Sequence, residues 1–227
     1  MPTWLTAVAT LSLALAAVCA VWIAVDVARR PPRMGVMAVV WPVSALFGSV
    51  GALWFYRRHG RAGVDDDPTM PVSVAKGALH CGAGCTLGDV VAETTAFLAP
   101  AVLVPFGFPG LFGDRMFAVW VLDFVAAFVI GIAFQYFAIA PMRDLTVARG
   151  VWAALKADAL SLTAWQVGMY GTMAVLLLGV LQPLYGTRPE VSSTVFWLAM
   201  QVAMLGGFAT AFPMNWWLVR RGVKERM

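Results

Sequence analysis

Cys81, Cys85, Asp89 and Glu93 recur every four residues in the stretch His80-Cys81-Gly82-Ala83-Gly84-Cys85-Thr86-Leu87-Gly88-Asp89-Val90-Val91-Ala92-Glu93. On a helix this spacing makes one slowly drifting stripe of two thiols followed by two carboxylates. Thiolates and thioethers are soft ligands that select Cu(I), whereas hard cations want oxygen. Two more four-residue pairs supply thioethers, Met169 with Met173 and Met200 with Met204. His80, Cys81 and Cys85 offer three ligands for Zn or Cu(I), but helical neighbours point about 100° apart, so His80 joins only where the helix start is frayed. The chemistry this set suits is coordination of a soft metal ion, with Asp89 and Glu93 balancing its charge or coupling its movement to protons.

The elements that must carry these residues are apolar. The chain has 227 residues, 61% hydrophobic and 12% charged, with mean hydropathy +0.79. Such a balance describes an integral membrane protein and leaves no room for an aqueous catalytic domain, which reads against an enzyme. The expected fold is all-α, a polytopic bundle of about six transmembrane helices. Spans are read over Trp4 to Val27, Met37 to Tyr56, a third from Gly77, Met116 to Ala140, Leu160 to Leu181, and Thr194 to Val219. Residues 1–56 then form an N-terminal hairpin, 57–76 a cytoplasmic polar loop holding Asp65, Asp66 and Asp67, and 77–227 a four-helix membrane domain.

With six spans, eleven Lys and Arg fall on one side and five on the other, which places both termini in the cytoplasm. Arg29, Arg30 and Arg33 are the exception that would lie outside. The net charge of +4 follows from this topology and does not call for nucleic acid. Counted from Gly77, Cys81, Cys85, Asp89 and Glu93 lie about 6, 12, 18 and 24 Å deep. Charged groups at such depth cost a few kcal/mol on insertion scales, so they face a bundle interior or a cavity. The methionines overlap the carboxylates in depth, giving a ladder from thioether to carboxylate to thiol. Asp123, Gln135, Tyr136 and Gln166 could line the same space or bond between helices. Lys156 and Asp158 are placed at a span edge, and Cys19 in packing. Gly84 and Gly88 let another helix approach, while Gly206-Gly207, flanked by Ala203 and Ala211, offer a contact face for a partner.

The string His80 to Asp89, together with Pro213-Met214-Asn215-Trp216-Trp217-Leu218-Val219-Arg220-Arg221-Gly222-Val223-Lys224-Glu225, resembles the bacterial DUF4396 membrane-protein family from the third span onward. The resemblance implies a prokaryotic multi-span membrane protein and carries no site residues with it.

The leading functional expectation is binding or transport of a soft metal ion, foremost Cu(I), with Zn as the other candidate, in the cytoplasmic membrane. A membrane oxidoreductase using the thiols or a bound haem or quinone is the alternative, although His59 and His80 both sit near the membrane edge. A third reading is a non-transporting assembly subunit, paired with another copy or with a partner membrane protein.

Overall fold

The computed structural model describes residues 1–64, 67–143 and 146–226, the side chains of 139–143 excepted. Asp65 and Asp66 of the expected acidic loop lie outside the described residues. The chain is helical, with no strand among the described residues. In order come α1 (Thr3–Arg29), α2 (Met37–Phe55, continued by a π-helical turn Tyr56–Gly60), α3 (Met70–Leu98, followed by a 3-10 turn Pro100–Phe106) and α4 (Arg115–Arg143). They are followed by α5 (Val147–Ala174, prolonged through Val175–Leu181 and Gln182–Tyr185) and α6 (Thr194–Arg220). In hydrocarbon each backbone N–H and C=O must be satisfied within its own segment, which is why apolar runs of this length become helices. Prolines mark the breaks. Pro31-Pro32 separate α1 from α2, and at Pro100 the chain turns by 114° away from α3.

Among the described residues five helical segments are long and apolar enough to cross a membrane, and α3 with its bent continuation makes a sixth. One of the five does not run straight. Ser49 inside α2 has φ 44° and ψ −127°, outside helical space. In a straight helix Trp41 and Tyr56 would stand about 22 Å apart, yet their ring centroids are 5.5 Å apart, and Trp41 also meets Phe55 at 6.0 Å. The segment therefore doubles back at Gly48-Ser49, where a Cβ on Gly48 would come within 2.8 Å of that of Ala52. Each arm of about 12 residues is about 18 Å long, roughly half the hydrocarbon thickness. It dips in and returns.

The returning end of this re-entrant hairpin is held at the end of α1. Asp26 accepts from Arg61 through two bonds of 2.7 and 2.9 Å and from the Tyr56 hydroxyl at 2.9 Å. At the other end of α1, Thr10 donates to Thr194 and Ser12 to Gln201, so α1 starts beside the start of α6. Since α6 ends at the opposite face, the two chain termini lie at opposite ends of the bundle. Five or six apolar helical segments among the described residues match the expected count of about six; because the hairpin returns to the end it left, the two termini fall at opposite ends of the bundle, where the expectation had put them on one side. Arg115 and Arg188 now stand at one end and all the other Lys and Arg at or near the other.

Further boundaries shift. Helix α3 begins at Met70, so the end of the expected 57–76 loop forms its first turns, and Lys76 is buried. Helix α5 begins at Val147, well before the expected Leu160, which moves Asp158 from a span edge into the interior. The glycines of α3 do what their spacing suggests. A Cβ on Gly84 would stand 2.8 Å from Gly131 Cα, and one on Gly88 would strike the backbone of Ala127, so α3 and α4 cross backbone to backbone. Gly206 and Gly207 face Thr172 and Trp165 of α5. Their small surface is spent inside the bundle and is not the face for a partner that the sequence suggested. Cys19 packs in the core.

Candidate functional site

Helix α3 is the most enclosed element, packed against α2, α4, α5 and α6. Its polar stripe faces inward along its whole length. Cys81, Cys85, His80 and Asp89 are 0% exposed and Glu93 5%. The helix tolerates this composition because its neighbours cover the polar face, while the outward positions of its second half, Val90, Val91, Phe97 and Leu98, are exposed and apolar. The thioethers of Met169, Met173, Met200 and Met204 are buried in the same core as the two cysteines.

Near mid-depth four elements leave a cavity of about 170 Å³. It is lined by Thr86 and Asp89 of α3, Met200, Gln201 and Met204 of α6, and the tip of the α2 hairpin at Leu46 and Phe47, with α1 closing the side. Both carboxylate oxygens of Asp89 lack a hydrogen-bond partner; Gln166 lies beside it without closing a bond. Thr86 donates to Gly82 O at 2.7 Å and touches Met204 Sδ at 3.7 Å. Gln201 fixes the tip by donating to Leu46 O at 2.7 Å while accepting from Ser12. The first arm of α2 ends at this tip and the second begins there, so the hairpin turn borders the cavity.

One turn along α3, Glu93 opens onto a second, larger cavity of about 550 Å³ at the bundle end that carries Asp114, Arg115, Arg188 and Glu190. Arg115 donates to the α3 carbonyl of Ala96, and Asp114 pairs with Arg188 at 2.6 Å across the mouth. Asp123 of α4, also fully buried and unpartnered, is within electrostatic reach of Asp89 and Glu93. A file of acidic groups thus runs from this vestibule to mid-depth.

In the other direction the stripe descends through Cys85, beside Cys81, to a polar knot. Cys81 donates to Ser161 Oγ at 3.8 Å, Ser161 donates to Asp158 Oδ1 at 2.5 Å, and Lys224 pairs with the same carboxylate oxygen at 2.5 Å. All three cysteines are free thiols.

The structure brings Asp89, Met200 and Met204 to one cavity and puts Glu93 on the vestibule. Met169 and Met173 line neither cavity. His80 turns toward α4, its ring 6.0 Å from Phe134, and does not join the two thiols. Among the described residues no three His, Cys, Asp or Glu come together closely enough to hold a metal ion by themselves. Any soft ion here would need thioether, hydroxyl or backbone oxygen as well. Sequence reasoning passed over Gln201, Ser161 and the partner of Asp158. Gln201 was findable as a lone amide in an apolar helix beside Met200; Lys224 was not, because it belongs to a tail beyond the last span.

No curated protein and no solved structure matches the chain. A family model described as Domain of unknown function (DUF4396) matches residues 72–224, from the first turns of α3 to Lys224. The stripe, the vestibule and the polar knot all fall inside that stretch, whereas α1 and the re-entrant hairpin precede it. With well over half of its length matched, the chain belongs to the DUF4396 family.

Proposed function

We propose that this protein is a multi-pass transporter of the cytoplasmic membrane that carries a soft monovalent metal ion, Cu(I) foremost, along the α3 stripe. The observation that carries the reading is that the buried, unpartnered carboxylate of Asp89 lines the same cavity as the thioethers of Met200 and Met204. Charge decides the valence. A monovalent ion forms a neutral pair with Asp89 alone, the one carboxylate that lines this cavity, whereas a divalent ion would need Asp123 or Glu93 ionised as well. Softness decides the element, since two thioethers disfavour alkali ions and suit Cu(I).

Direction follows from the basic residues. Lys and Arg kept near one face mark it as cytoplasmic, which sets the C-terminal end inside and the vestibule of Glu93 outside. An ion entering there meets Glu93, then Asp89 with Met200 and Met204, then Cys85 and Cys81. Weak oxygen and thioether sites precede tighter thiolate ones, and Glu93 and Asp123 can exchange protons as charge passes.

The test is uptake of Ag(I), a redox-stable stand-in for Cu(I), by liposomes containing the full chain. Asp89→Asn and the pair Met200→Leu/Met204→Leu should each cut uptake about tenfold or more, as expected when a charge-assisted contact worth roughly 1.5–3 kcal/mol is lost. Wild-type liposomes that take up no more Ag(I) than empty ones overturn the proposal. Equal uptake of Zn²⁺ would overturn the monovalent assignment.

A further inference from the structure

The C-terminal tail places a positive charge of the chain itself inside the bundle. After α6 ends at Arg220, Gly222 turns the backbone at φ 68° and the Val223 N–H bonds to Leu218 O at 3.0 Å. Lys224 then runs back toward Gly77 of α3. Its ammonium lies 2.5 Å from Asp158 Oδ1 and 3.4 Å from Ser161 Oγ, with the two charged side chains 1% and 0% exposed. Cys81 Sγ is on the other side of the Ser161 hydroxyl. Asp158 Oδ2 has no hydrogen-bond partner, and neither has either nitrogen of the buried His80, which lies within electrostatic reach of both charges.

A buried ion pair is weak evidence for stability, because a well-packed apolar pair often serves as well or better. This one has a different setting. It stands at the foot of the α3 stripe, one partner is fixed on α5, and the other rides on a short tail held by few backbone bonds. We infer that Asp158, Ser161 and Cys81 form the inner cation site of the stripe, and that Lys224 is its tethered occupant, displaced by each monovalent ion that leaves. The inference rests on the transport reading for its cargo, but not for the movement of the tail. The Asp158 carboxylate supplies the charge for any monovalent cation, and the Cys81 thiol is the one soft donor beside it. Exchange of ammonium for a monovalent ion keeps the site neutral, and the released Lys224 returns to water beside Arg220 and Arg221. Ion and ammonium compete for the single charge of Asp158, so the tail closes the inner end whenever the site holds no cargo.

The experiment uses the full chain with Cys19→Ser and Cys85→Ser, leaving Cys81 as the sole thiol, and 2-aminoethyl methanethiosulfonate as the probe. Cys81 should react slowly in this parent and about tenfold faster or more with Lys224→Gln, the ratio reporting how far the tail opens. Equal rates overturn the inference. If Lys224→Gln does not give monodisperse protein, Lys224→Gln/Asp158→Asn, which removes both charges, takes its place under the same criterion. The exchange Lys224→Asp/Asp158→Lys separates a gate from a structural pair. It keeps the pair but fixes the positive charge on α5, so in the wild-type cysteine background it should stay folded and lose Ag(I) uptake. Folded exchange protein that takes up Ag(I) like wild type overturns the site. Should wild type itself take up none, the transport reading fails while the labelling rates still decide the tail.

Discussion

The side-chain amide of Gln201 donates to the backbone carbonyl of Leu46 at 2.7 Å, across 155 residues of sequence. That carbonyl belongs to the last turn before Ser49, where the α2 ladder is broken. A free carbonyl at mid-depth costs a few kcal/mol, so one amide on α6 makes the re-entrant tip tolerable. Gln201→Leu should lower the stability of the purified protein by about 1–3 kcal/mol, the range for orphaning a buried polar group. Ser12→Ala, which removes only the bond behind the amide, should cost less. Thermal unfolding in detergent measures both, and a Gln201→Leu midpoint equal to wild type would show that the tip needs no such support.

Ser49 carries the turn itself in a region of φ and ψ that L-residues rarely adopt. Ser49→Gly should leave the fold intact and raise stability by up to about 1 kcal/mol, whereas Ser49→Val should destabilise by at least that much. The opposite order would mean that α2 is straight. Gly51, with nothing within 4 Å of its would-be Cβ, is the control at which Ala is harmless.

The crossing of α3 on α4 predicts a sharper result. Gly88→Leu drives a side chain into the Ala127 backbone, which cannot yield as a flexible side chain would. Loss of the folded protein in detergent is expected, with Gly84→Ala an intermediate case against Gly131. Recovery of well-behaved Gly88→Leu protein would contradict the crossing.

Topology gives a test independent of any ligand. The proposed orientation, with five crossings and a hairpin that returns to its own face, predicts the N-terminus outside and the C-terminus inside, with Arg29, Arg30 and Arg33 on the same side as the other basic residues. A reporter active only in the cytoplasm should work when fused after the C-terminus and fail before the N-terminus. Activity at both ends would restore six crossings.

At the vestibule mouth pH has a defined sign. Partial burial pushes the Asp114 carboxyl up, but the Arg188 guanidinium and the Met116 N–H at 3.0 Å outweigh it and hold the group below its ordinary value. A carboxylate held low in the folded state stabilises above its unfolded value, and that contribution fades as pH falls through the folded one. The thermal midpoint of wild type should therefore drop relative to Asp114→Asn below about pH 4, and by no more than about 1 kcal/mol for a pair this exposed. Parallel pH curves for the two proteins would remove the pair from the account.

The amino-acid sequence by itself determined the solvent and the stripe. Long apolar runs could only be membrane helices, and Cys81, Cys85, Asp89 and Glu93 at four-residue steps could only share one face, which their cost in hydrocarbon turns inward. The approach of Gly84 and Gly88 to another helix was legible for the same reason, since small residues at that spacing leave a groove. Tertiary structure decided where the stripe leads. It chose Met200 and Met204 over Met169 and Met173 for the Asp89 cavity, turned His80 away from the thiols, and returned Lys224 to Asp158 from a tail beyond the last helix. It also decided that Met37 to Gly60 folds back on itself. Hydropathy along a chain records how strongly a segment leaves water; whether it exits on the far side or the near one depends on partners such as Gln201 and Asp26, far away in sequence, that satisfy the backbone and side chains of the turn.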